Sequence, residues 1–63
     1  MKTFALIAYF VLHGQPQAFV LDYGLTIEDC GQEIVGQPVS YDDLDGKRHA
    51  FPVATSFACE VQQ

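Results

Sequence analysis

The chain has 63 residues, a net charge of −5 and two cysteines. That length makes one domain, and a chain so short buries only about 60% of its unfolded surface. The acidic balance, with an isoelectric point near 4.4, argues against binding nucleic acid, which needs a basic patch, and against an anionic membrane surface.

Phe4 to Leu12, FALIAYFVL, is nine apolar residues in a row. A transmembrane helix needs roughly 20, so this stretch is too short to span a bilayer. Met1-Lys2 and this run also have the lengths of a signal peptide cleaved near Ala18. Pro16-Gln17-Ala18, however, lacks the small residue that cleavage wants at its first position. The preferred reading is a central strand apolar on both faces. Phe4, Leu6, Ala8, Phe10 and Leu12 point one way; Ala5, Ile7, Tyr9 and Val11 point the other.

His13-Gly14-Gln15-Pro16 reads as a turn. Gln17–Tyr23 then alternates, with Phe19, Leu21 and Tyr23 on one face and Val20 and Asp22 on the other. The two strands make a hairpin. Thr26 is a helix N-cap with Asp29 as its capping-box partner, and the helix spans 27–35. Gly36 is expected at the C′ position, and Pro38 prevents continuation. Ile27, Cys30, Gly31 and Ile34 form the inner face; Glu28, Asp29, Gln32 and Glu33 form the outer one. Gly31 is expected to let the helix approach the sheet closely.

Residues 37–46 read as a loop in which Ser40–Tyr41 pairs briefly at most. Two strands follow, 48–51 and 56–62, with Phe57, Cys59 and Val61 facing inward. The order is ββαββ: an α+β domain with one helix packed on one face of a small antiparallel sheet.

Cys30 and Cys59 both fall on core-facing positions. Two small buried free thiols are the preferred reading; a disulfide is the alternative and would need an oxidising compartment. With no Asn there is no glycosylation sequon, and the expected location is cytoplasmic. His13, His49, Cys30 and Cys59 are zinc-ligand types, but no pair has finger or knuckle spacing. An EF-hand aligned on Gly46 needs an acid at 41 and Glu at 52, where the chain has Tyr41 and Pro52. No phosphate loop, dinucleotide fingerprint or Ser-His-Asp set occurs. The expectation is a protein without enzymatic activity and without a cofactor.

Seven of the eight acidic residues lie between Asp22 and Asp45, and Lys2, Lys47 and Arg48 all lie outside that span. Glu28, Asp29, Glu33, Asp42, Asp43 and Asp45 are therefore expected to form one acidic docking face for a basic protein partner. Tyr41 and Leu44 would be its apolar anchors. The second face of the hairpin, with Ile7, Tyr9, Val11 and Val20, is a candidate surface for self-association into a homodimer. A domain this small, acidic and free of catalytic motifs resembles the stand-alone inhibitors encoded by bacteriophages, anti-CRISPR proteins among them. The likeness is one of size, charge and composition. It implies stoichiometric binding to a host nucleic-acid-handling complex, the acidic face covering a basic groove.

Overall fold

A computed structural model describes residues 2–62. It is the expected α+β domain: β1 (Thr3–Leu12), β2 (Gln15–Leu25), α1 (Ile27–Val35), β3 (Ser40–Asp42), β4 (Arg48–Ala50) and β5 (Ser56–Gln62). The strands divide into two antiparallel sheets, β2-β1-β5 and β3-β4. The expected four strands are thus five. Residues 40–42 are a strand in their own right, and 48–50 pairs with them instead of joining the main sheet. Among the described residues no helix is long and apolar enough to cross a membrane.

β1 is central, as nine consecutive apolar residues require. Leu6 and Ala8 are fully buried, and Ala5 and Phe10 nearly so. The turn to β2 is tighter than expected. Leu12 pairs with Gln15, so only His13 and Gly14 form the loop. Both have positive φ, 52° and 77°, the backbone of a type I′ turn whose twist matches that of the flanking strands. Pro16 lies inside the strand instead of in the turn. It sits opposite Val11, one residue beyond the hydrogen-bonded pair that closes the turn, where no ladder donor is needed. β2 is also an outer strand, which is where proline is tolerated.

The simple alternation expected for 17–23 fails beyond Val20. Register shifts between Phe4 and Leu6 and between Leu6 and Ile7 place extra residues in β2, so Leu6 faces Asp22 and Ile7 faces Val20. These are β-bulges, and each one reverses the face of the residues beyond it. Tyr23, expected inside with Phe19, is exposed as a result.

The helix begins and ends where the sequence places it. The Asp29 N–H donates to Thr26 Oγ1 at 3.0 Å, the N-cap bond that supplies a partner for one orphan donor of the first turn. At the far end the expectation needs correction. Gly36 is the C-cap in right-handed conformation, and the left-handed residue is Gln37, with φ 53°. Cys30 is buried and Gly31 and Ile34 are half-buried, but Ile27, expected on the same inner face, is 55% exposed. A Cβ on Gly31 would meet nothing within 4 Å. Close approach is therefore not the reason for this glycine.

Cys59 lies opposite Leu6 on the face that α1 covers. Its sulfur is bonded to that of Cys30, with the Cα atoms 6.1 Å apart. The reading of two free thiols is therefore corrected to a disulfide, formed because the β1–β5 register carries Cys59 directly beneath the helix. Val61, expected inside, is 47% exposed at the end of an outer strand.

Candidate binding surfaces

One face of the main sheet is covered over most of its length, with Leu12 at its end 40% exposed. Around Leu6 the cover is α1, held by the disulfide. About 13 Å further along β1, at a rise of roughly 3.3 Å per residue, the cover is the β3–β4 hairpin. There Phe10, Phe19 and Phe57 meet Tyr41 and Phe51. The Tyr41 ring lies 4.8 Å from Phe19, 4.9 Å from Phe51 and 5.9 Å from Phe10, and Phe51 meets Phe57 edge-on at 5.5 Å. Such tilted and edge-on pairs are the favourable aromatic geometries.

This arrangement decides where the expected acidic face goes. Tyr41 is not a free anchor: its ring is packed within the aromatic cluster, with His49 stacked at 5.4 Å. Asp42 pairs with Arg48 at 3.2 Å and Asp43 with His49 at 2.7 Å. Asp43 also accepts the backbone N–H groups of Asp45 and Lys47 through Oδ1. The His49 hydrogen bond, more than any other contact, holds its carboxyl below the usual aspartate value. Leu44 and Asp45 remain exposed at the tip of this turn. Basic residues outside the acidic span in sequence thus fold back onto it, because β4 is the antiparallel partner of β3.

Glu28 and Asp29 stand exposed on α1, at the other end of the molecule's covered face. Glu33 is half-buried beside Asp22, on the strand beneath. Burial raises its pKa first, and the neighbouring Asp22 carboxyl adds to that. The eight expected docking residues therefore form two separate groups, one on the helix and one on the hairpin.

Among the described residues the opposite face is more open, although Ala5, which also points to it, is nearly buried. Ile7, Tyr9 and Val11 of β1 point to it, with Ala18 and Val20 of β2 and Ala58 of β5 in register beside them. Tyr9 is 38% exposed, Val20 53% and Val11 61%. The Tyr9 hydroxyl donates to the Glu60 carboxylate of the neighbouring strand. Where β1 runs on past the first residue of β5, the face continues into an apolar notch of about 300 Å³, lined by Tyr9, Val11, Pro16 and Ala54 among others. The four residues expected on a self-association surface are all brought together here. Ala58, Ala18 and the notch were missed, because they enter only through pairing with β1.

Among the described residues no group of three or more His, Cys, Asp or Glu side chains is placed to hold a metal ion, and the disulfide occupies both thiols. Comparison with protein families, with curated proteins and with solved structures found no match.

Proposed function

We propose that this protein is a non-enzymatic binding module that docks on another protein through the bare face of its sheet. The supporting observation is the asymmetry of that sheet. One face carries both the helix and the aromatic hairpin, while the other leaves Tyr9, Val11 and Val20 open to water. Contiguous apolar surface of this kind marks interaction sites, and aromatic residues such as Tyr9 are common binding anchors. A second copy of the chain is one occupant that this face would accept.

A second reading comes from the helix. Neither ion pair among the described residues involves Glu28 or Asp29, so α1 offers unpaired negative charge to a basic partner. On this reading the protein is a phage inhibitor of the anti-CRISPR kind, acting in the cytoplasm on a nucleic-acid-handling protein. Cytoplasmic thiol buffers reduce most disulfides, so the fold would then have to hold with Cys30 and Cys59 as thiols.

One experiment separates the two. Tagged protein is used to capture its partner from the cells that make it, at low and at high salt. Val11→Lys with Val20→Lys should abolish capture by the bare face and leave the fold intact, since both positions are exposed. Capture lost instead on changing Glu28 and Asp29 to Lys, and lost at high salt, would favour the helix. Capture unaffected by either pair of changes would overturn both readings.

A further inference from the structure

The main sheet has two outer strands, and they are guarded unequally. β2 carries Pro16, two bulges and Gly24, all of which discourage another strand from pairing with it. β5, SFACEVQ, has no proline, no glycine, no basic residue and no bulge in its pairing with β1. Its one charge is Glu60.

The direction of its free backbone groups is set by the hairpin turn. Leu12 and Gln15 close a two-residue loop and so form a hydrogen-bonded pair. Even-numbered residues of β1 therefore bond to β2, and odd-numbered ones bond to β5. On β5 the partners of Tyr9, Ile7, Ala5 and Thr3 are Ser56, Ala58, Glu60 and Gln62. The N–H and C=O groups of Phe57, Cys59 and Val61 consequently point away from the sheet. No turn, loop or cap hydrogen bond of the described residues engages them.

We propose that two copies of this chain join edge to edge, β5 against β5, antiparallel and centred on Cys59. The strand is complementary to itself in that register. All seven residues overlap, Phe57 faces the partner's Val61, and Ala58 faces the partner's Glu60. Centring the pair on Glu60 would set two carboxylates directly opposite, which is unfavourable, and centring it on Ala58 would leave Val61 and Gln62 unpaired. The twofold axis stands perpendicular to the sheet, so both helices lie on one side and both bare faces on the other. α1 rests on β1 and β5 together and is bonded to Cys59, so the two helices lie side by side above the joint. The result is a continuous six-stranded sheet that doubles the bare apolar face. It does not depend on what that face binds.

Sedimentation across a concentration series tests the proposal, together with NMR on a mixture of labelled and unlabelled chains. The expected result is a reversible dimer with a direct contact between the Ala58 Hα and the Hα of the partner's Glu60, a close approach made only in this register. Val61→Pro removes an outward N–H without touching the ladder to β1 and should weaken the dimer at least tenfold; Val61→Thr, which keeps the donor, should not. Val11→Lys with Val20→Lys should leave the dimer intact even where it abolishes partner capture. A monomer at every concentration, a dimer without the Hα contact, or a folded Val61→Pro dimer as tight as the wild type would each overturn the proposal. Should Val61→Pro fail to fold, the Hα contact in the wild-type chain decides.

Discussion

Gly31 sits in the middle of α1, where glycine costs about 1 kcal/mol relative to alanine. Nothing occupies the space its side chain would take, and its φ is not in the left-handed region. Gly31→Ala should therefore stabilise the protein by about 0.5–1 kcal/mol, read as a higher urea midpoint with an unchanged slope; a lower midpoint would reveal a contact at this position. Glu33 tests the other kind of local effect. Its pKa is raised in the folded chain by burial and by Asp22, so the folded state holds this proton to higher pH than the unfolded state does. The contribution is present below the ordinary glutamate value and lost as pH rises through the raised one. Glu33→Gln should thus melt higher than the wild type at neutral pH, with the gap closing on acidification below the ordinary value. Parallel melting curves across that range would show that Glu33 does not titrate abnormally. Asp43 has the opposite sign: its lowered pKa means stability present above the ordinary aspartate value and lost as pH falls.

At the scale of the element, local chemistry and observed structure agree best in the helix. Thr26 is extended at the N-cap and accepts from Asp29, so Thr26→Ala should cost about 1 kcal/mol in the same urea titration, with Thr26→Ser nearly neutral. The helix stops at Val35, as expected, although Gln37 and not Gly36 takes the left-handed turn. The hairpin was legible too, since nine apolar residues followed by a Gly-containing turn and an alternating run admit few other readings. Its bulges were not. A bulge is a property of the pair of strands, and the alternation of Leu21, Asp22 and Tyr23 gives no sign of it. The β3–β4 hairpin was hidden for a related reason. Three-residue strands are too short for a period, and Ser40–Asp42 is recognisable only beside Arg48–Ala50.

The whole molecule is held by one cross-link and two small cores, which is little for a chain of this size. Cys30 and Cys59 are 29 residues apart, and closing a loop of that length stabilises by about 3–4 kcal/mol in the chain-entropy account. Replacing both cysteines with serine should lower the unfolding free energy by about that amount, measured against the oxidised wild type. An unchanged value would mean that the packing of α1 on β1 suffices alone. The candidate sites show the same division between local and global. Ile7, Tyr9, Val11 and Val20 were found from the period of two, because residues alternating along paired strands must share a face. The acidic face was read from a span of sequence, and it came apart because spatial neighbours are set by strand pairing, which returns Arg48 and His49 to Asp42 and Asp43.

Sequence alone determined the stretches of β1, β2, α1 and β5, that β1 is central, and that both of its faces are apolar. These come from side-chain period, caps and turn residues, all of which act within a few positions of the chain. Tertiary structure alone decided which apolar face is covered, that β5 and not β4 lies beside β1, and that the two cysteines meet. Each of those is a choice among distant partners of nearly equal local suitability. It is settled only when the aromatic rings of β3 and β4 and the Cys30 side chain of α1 compete for the same side of one small sheet.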